Sequence, residues 1–290
     1  MNMEIEYSNV VNPHSESLSE QNWPLTVKDG YVECKRHVPN VVRAAPPILF
    51  LHGIFVGAWC WQHFLKDFAE HGYDAWAISF RGHGHSSRDG EFGLNDFVLD
   101  AQAAVDEIKR VTGQMPLVVG HSMGGLVLQR LMLTRQLAGA VLMCAMPPQG
   151  LLPLAVGNWC LRPLQMLELG QLMLTQQAIN AEQLQFGMFA QPIEAERLQD
   201  YAKQTVVEAP RLWSDLMQGA MYTPWLKNCP MALVAASNDT LVPPAITQMT
   251  AMSYSVSIHW LDGFGHGVML ERDWQKAAAC VRGVIHKMHA

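Results

Sequence analysis

Three things are missing from this chain of 290 residues. No apolar run approaches the roughly 20 consecutive residues that a membrane-spanning helix needs, so no transmembrane segment is expected. No block of basic residues appears, and the formal net charge is −6, which argues against a nucleic-acid footprint. No C-x-x-C pair appears either: the six cysteines stand apart at 34, 60, 144, 160, 229 and 280. Scattered thiols in a chain of this length read as free and mostly buried, which suits a reducing compartment. Residues 1–20 are polar and acidic, with no basic start and no apolar h-region, so no secretory signal is expected there and the expected location is cytoplasmic. What is present is apolar: 49% hydrophobic against 16% charged residues, enough for a large core in one α/β domain with an insertion, or in two domains.

The most informative stretch is Gly120-His121-Ser122-Met123-Gly124, a G-x-S-x-G pattern. Five residues alone also fit a plain tight glycine turn. Here an apolar strand candidate, residues 115–119, precedes them, and a helical pattern, residues 124–133, follows. A strand that stops, turns sharply and starts a helix lifts its middle residue out of the sheet edge and exposes the Ser122 hydroxyl as a nucleophile. The Met123 amide then points from the helix N-terminus at a developing oxyanion.

Along the rest of the chain, strand and helix patterns alternate. Residues 25–38 alternate apolar and polar positions around Asp29-Gly30, which predicts a hairpin at a sheet edge, while residues 1–22 are expected to be loosely held. Residues 46–51 form a continuous apolar run that predicts a buried parallel strand. A helix is predicted over 59–70, a strand over 73–80, and an amphipathic helix over 94–111, with Asn95 as its N-cap and Phe97, Val98, Ala101, Ala104, Val105, Ile108 and Val111 as its stripe. Further strands are expected at 138–146, 231–236 and 255–261, and a last helix at 271–288. The stretch 147–228 breaks the alternation. It holds no clear strand but many Leu, Met and Gln residues at helical spacing, bounded by prolines. The expected architecture is a doubly wound, mostly parallel α/β sheet with an inserted helical cap: core residues 1–146, cap 147–228, core 229–290.

The motif set resembles the α/β-hydrolase family, in particular its small capped members: esterases, C–C hydrolases, hydroxynitrile lyases and cofactor-free haloperoxidases. The resemblance runs from about residue 24 onward. It rests on Leu51-His52-Gly53, Arg81-Gly82-His83-Gly84-His85-Ser86, the Ser122 turn, Asn238-Asp239-Thr240-Leu241-Val242-Pro243, and Gly263-Phe264-Gly265-His266-Gly267. It implies a Ser, Asp, His chain order, with His266 as the base, in a loop just after a strand. Asp239, after the 231–236 strand, is implied as the acid, although Ser237-Asn238-Asp239 is also ordinary turn chemistry. Asp262 competes for that role, and Asp215 is a remote third candidate. The second oxyanion donor is implied to be the Ile54 amide, with Phe55 as the fallback. His121 reads as packing beside the nucleophile, and His52 as a structural hydrogen-bonding residue.

The resemblance also implies that the Arg81–Ser87 loop is a structural turn, so no metal is assigned to His83 and His85, and no cofactor is expected. Relatives usually carry Asp two positions before Arg81, where this chain has Ser79; no triad member is touched. Phe55, Trp159, Phe186, Trp213 and Met217 are candidates to line an apolar acyl or aromatic pocket, though side chains of this kind also simply pack cap helices together. A medium-sized apolar small molecule is the expected substrate, and a second copy of the chain, forming a homodimer, is left open as a partner. The expected activity is ester or related acyl hydrolysis. C–C bond hydrolysis or a lyase reaction with the same triad, or a ligand receptor with weak hydrolase activity, are the alternatives.

Overall fold

Leu49 and Leu51 pack on one side of the sheet and Ile48 and Phe50 on the other, the period of two that an extended chain imposes. All four are fully buried, so strand β3 (Ile48–Leu51) carries packed side chains on both faces. The computed structural model describes residues 19–151, 177–218 and 228–289. Around β3 stand β1 (Ser19–Val27), β2 (Gly30–Val38), β4 (Ala75–Ser79), β5 (Leu117–His121), β6 (Gly139–Met143), β7 (Met231–Ala236) and β8 (Ile258–Leu261). The sheet order is β1-β2-β4-β3-β5-β6-β7-β8. The β1–β2 and β2–β4 pairs are antiparallel, and every later pair is parallel. The sheet is therefore mostly parallel, and the C-terminal ends of β3 and β5 to β8 share one edge.

Helices cover both faces. Helices α2 (Leu94–Thr112) and α3 (Met123–Leu131) bury Phe97, Val105 and Leu126 against the Leu49 and Leu51 side. Helices α1 (Gln62–Glu70) and α8 (Trp274–His289) bury Phe64, Phe68 and Val281 against the Ile48 and Phe50 side. Between β6 and β7 the described residues form three helices, α4 (Ala181–Met188), α5 (Ala195–Lys203) and α6 (Pro210–Gln218), and no strand. Helix α7 (Pro244–Tyr254) follows β7, in a stretch for which the sequence pattern predicts no element.

Several expectations need correction. The N-terminal hairpin is longer than expected: β1 starts at Ser19, within the stretch expected to be loose, and pairs with β2 along its whole length. The helix expected over 59–70 opens as a 3₁₀ turn, Ala58–Trp61, before α1 begins. Asn95 does not cap α2; Gly93 stands at that position. The first N–H groups of α2 find their acceptors elsewhere: Gly93 N–H donates to Asp96 and Leu94 N–H to Asp215, each at 2.9 Å. A carboxylate 121 positions away does the capping, and Asn95 accepts from Arg130 instead. Val111, the last of the expected stripe, is exposed. Strand β6 ends at Met143 rather than 146, and β8 begins at Ile258, because Ser255 at φ 52° terminates α7.

Ser79 has a compensating partner. Its hydroxyl donates to Glu33 Oε2 at 2.5 Å and accepts from Ala58 N–H at 2.8 Å. The same Glu33 oxygen accepts from His85 N–H. The carboxylate that the resemblance implied at position 79 thus reaches this turn from β2. Among the described residues Cys34, Cys60, Cys144, Cys229 and Cys280 are free thiols, and no helix is long and apolar enough to cross a membrane.

Candidate active site

Ser122 lies between β5 and α3 with φ 53° and ψ −119°, a left-handed backbone that a non-glycine residue adopts only when its surroundings impose it. Two glycines make the turn possible. A Cβ on Gly124 would come within 2.5 Å of the Leu51 and His52 carbonyls, and one on Gly120 within 2.5 Å of the Gly124 carbonyl. The Ser122 carbonyl accepts from Gly125 and Met146 N–H groups, both at 3.0 Å. Met123 follows as the first residue of α3, where a helix N–H has no carbonyl one turn earlier to bond.

The ends of β7 and β8 bring the other two groups together. Asp239 accepts from Leu241 N–H (2.9 Å) and Val242 N–H (2.8 Å) at Oδ1, so its own turn fixes the carboxylate. The remaining oxygen, Oδ2, meets His266 Nδ1 at 2.8 Å, with both residues buried. In the neutral ring, a proton on Nδ1 donates to Asp239 and Nε2 keeps its lone pair. Asp262 is exposed, and Asp215 is occupied at the start of α2. Among the described residues no hydrogen bond joins the Ser122 hydroxyl to His266. The two are linked through the last residue of β5: His121 Nε2 donates to the His266 carbonyl at 2.9 Å, and the His121 and His266 rings lie 4.7 Å apart. Burial, and then the nearby His266, push the His121 pKa well below its ordinary value, so this ring is neutral. His52 is likewise kept neutral, mainly by burial. Its Nε2 accepts from Phe80 N–H at 3.0 Å, so its proton is on Nδ1, which donates to the Gly53 carbonyl at 2.7 Å.

The loop after β3 carries the other predicted amide. Among the described residues nothing accepts from Ile54 N–H. Phe55 N–H is engaged: it donates to Glu208 Oε1 at 2.5 Å. Phe55 itself sits at φ 68° and packs its ring 5.8 Å from Trp213. Phe186, at the end of α4, lines a cavity of about 430 Å³ with Met188, Phe189, Pro243, Asp239 and His266. Met217 is exposed on α6, and Trp159 lies outside the described residues. His83 is buried against Glu208, whereas His85 is exposed, so the two do not converge on a common point.

Two buried carboxylates that the motifs did not reveal support these loops. Glu271, with no exposed surface, accepts from Gly265 N–H beside His266 and from Ala190 and Gln191 N–H groups after α4. Gly267 N–H adds a bond to the Met188 carbonyl at 2.7 Å. The His266 loop is thus clasped to the segment that follows α4. Glu208 does the same for the loop after β3. In the sequence Glu208 stands out only as an acidic residue between apolar ones, and Glu271, followed by Arg272 and Asp273, does not stand out at all; neither pattern names a partner.

The chain's residues 48–279 match the model of the alpha/beta hydrolase family. The chain belongs to this family. Among curated proteins it is similar to the non-heme chloroperoxidase CPO-A1 of Kitasatospora aureofaciens, at 37% identity over 35% of this chain and 38% of that one. It is also similar to the probable esterase PIR7A of Oryza sativa (35% identity, 34% of this chain and 39% of that one). A third relative, triacylglycerol lipase 1 of Arabidopsis thaliana, is 27% identical over 40% of this chain and 34% of that one. The matched stretches thus span little more than a third of these relatives. The fold is that of a thermophilic esterase from Thermogutta terrifontis, with a TM-score of 0.70 at 16% identity, covering 93% of this chain and all of that one. It is equally that of the haloalkane dehalogenase DbeA from Bradyrhizobium elkani, with a TM-score of 0.68 at 18% identity, over 93% and 99% of the two chains. An alpha/beta hydrolase of this shape hosts more than one chemistry, so the reaction has to be argued from the site itself.

Proposed function

We propose that this alpha/beta hydrolase cleaves carboxylic esters, or closely related acyl compounds, through an acyl-enzyme on Ser122. The observation that carries the proposal is the 2.8 Å contact between Asp239 and His266 Nδ1 beside the left-handed turn at Ser122. Serine is inert at neutral pH without a base to take its proton, and an imidazole held at Nδ1 by a buried carboxylate is such a base. In apo geometry a nucleophile–base contact is often long and tightens only with substrate bound.

In the proposed cycle Ser122 Oγ attacks the acyl carbon while its proton passes to His266 Nε2. The carbonyl oxygen becomes an oxyanion, stabilised by the N–H groups of Met123 and Ile54. The carbon–oxygen bond to the leaving alcohol then breaks, and His266 returns the proton to that oxygen. Water attacks the acyl-enzyme, gives a proton to His266, and the acid leaves as Ser122 regains its hydrogen. Asp239 stays ionised throughout and holds the ring in the required tautomer.

The described helices of the stretch 147–228, α4 to α6, act in this proposal as a cap over the site. Phe55, Trp213 and Phe186 supply apolar surface for a medium-sized acyl or aromatic group. A panel of p-nitrophenyl esters of graded chain length, run beside Ser122→Ala, tests the whole reading. Turnover is expected to rise from acetyl to a medium chain, to fall when the acyl chain ends in a carboxylate, and to vanish in Ser122→Ala. Hydrolysis that persists in the variant overturns the mechanism; acetyl or anionic preference overturns the apolar pocket.

A further inference from the structure

The loop after β3 is held from an unexpected side. Glu208 lies between α5 and α6, 153 positions from Phe55, and is buried. Its Oε1 accepts two hydrogen bonds: from Phe55 N–H at 2.5 Å and from His83 Nε2 at 3.0 Å. His83 Nδ1 faces the Arg81 carbonyl at 3.2 Å. Both ring nitrogens thus face acceptors, which only the imidazolium satisfies with a proton on each. Burial works against that charge, but Glu208 outweighs it, by its charge and its hydrogen bond together with the Arg81 carbonyl, and raises the His83 pKa. Two residues before Glu208, Val206 N–H donates to the Phe55 carbonyl at 2.8 Å. Phe55 is therefore gripped at both backbone groups, in a left-handed conformation that a bulky aromatic residue avoids when free.

We propose that Glu208 is a positioning residue for the oxyanion loop: by holding the Phe55 amide it fixes the peptide after Ile54 and leaves the Ile54 N–H as the donor aimed at the substrate oxygen. This rests on the ester-hydrolase reading above, and goes beyond it in two ways. It removes Phe55 from the choice of donor, since that N–H is already spent. It also makes the oxyanion loop depend on an acceptor from the stretch inserted between β6 and β7. The useful property of Glu208 is the place of its acceptor oxygen. Its charge is balanced by His83, so an anion is kept from opposing the oxyanion nearby.

Two substitutions separate place from charge. Glu208→Gln keeps an acceptor at the same reach and loses the charge; Glu208→Asp keeps the charge and withdraws the acceptor by one methylene. With a p-nitrophenyl ester, Glu208→Asp is expected to lose kcat by about 10- to 100-fold, somewhat less than removal of an oxyanion donor outright. KM is expected to move less than about threefold, because the donor acts on the transition state. Affinity for an alkylboronic acid, whose tetrahedral adduct carries an oxyanion, is expected to fall in parallel with kcat. Glu208→Gln is expected to stay within about fivefold of the parent on both measures. Melting temperatures and Ser122→Ala accompany the series. If Glu208→Asp retains the parent kcat, or folded Glu208→Gln is as slow as Glu208→Asp, the proposal is overturned while Ser122-dependent hydrolysis stands. If Ser122→Ala still hydrolyses the ester, the reading beneath falls and takes this proposal with it.

Discussion

Replacing Asp239 by Asn tests the base–orienter roles proposed for His266 and Asp239, with almost no change of shape. Oδ1 of Asp239 receives two backbone N–H groups, from Leu241 and Val242. An Asn at this position must keep its carbonyl oxygen there, because two donors face it. Its NH₂ is then forced toward His266 Nδ1, where an acceptor stood at 2.8 Å. A donor opposite Nδ1 moves the ring proton to Nε2, the nitrogen that accepts the proton from Ser122 in the proposed cycle. Loss of the correct tautomer lowers kcat about 10⁴-fold in a serine triad. At 1.36 kcal/mol per tenfold this is about 5.4 kcal/mol of transition-state stabilisation. Steady-state hydrolysis of a p-nitrophenyl ester reads the loss, with KM nearly unchanged. The exposed Asp262 supplies the control: Asp262→Asn is expected to change kcat by no more than about twofold, as surface substitutions do. A kcat for Asp239→Asn within tenfold of the parent, or a larger loss in Asp262→Asn, refutes the reasoning.

Further outcomes follow from the packing and the buried charges. Gly124→Ala is expected to destabilise the fold by about 1–3 kcal/mol, read by urea denaturation, because its Cβ would press on the Leu51 and His52 backbone carbonyls rather than on a side chain able to move. Stability is expected to fall on acidification. His52 and His121 are kept neutral in the fold with pKa values well below 6.5, so below about pH 6.5 the unfolded chain binds protons that the folded one refuses, costing up to about 1.4 kcal/mol per pH unit for each. Urea midpoints measured from pH 7.5 down to 5 check this, and His52→Gln should flatten that limb. His83 has the opposite sign: its raised pKa contributes stability that is complete below about pH 6.5 and is lost as pH rises through its folded value, so His83→Gln should flatten the alkaline limb of the same curve.

The parts of this molecule that were legible in the sequence are those whose cause is local. The turn at Ser122 needs glycine at 120 and 124 because backbone passes within 2.5 Å, and those residues stand beside it in the chain. Asp239 is fixed by amides two and three positions later, so its turn could be read from a six-residue motif. Strand β3 announces itself by an unbroken apolar run that only burial on both faces explains. What could not be read is long-range carboxylate chemistry. Glu33 serves Ser79 from 46 positions away, Glu271 reaches Ala190 over 81, Asp215 reaches Leu94 over 121, and Glu208 reaches Phe55 over 153. Each supplies an acceptor to an N–H or O–H group far away in the chain, and no residue pattern along the chain specifies which group that is. The same distance explains the misplaced cap at Asn95: a local rule assigned an acceptor that the tertiary fold delivers from α6. Helix α7 has no clear helical pattern in the sequence because Thr and Ser interrupt its apolar positions.

The central claim is that Ser122 is acylated. Incubation with an alkyl fluorophosphonate, followed by intact mass spectrometry and peptide mapping, tests it most directly. One phosphonyl group per chain is expected, mapped to Ser122, with loss of ester hydrolysis in the same proportion and no adduct on Ser122→Ala. An adduct mapped to another residue, or labelling that survives in Ser122→Ala, would contradict the account.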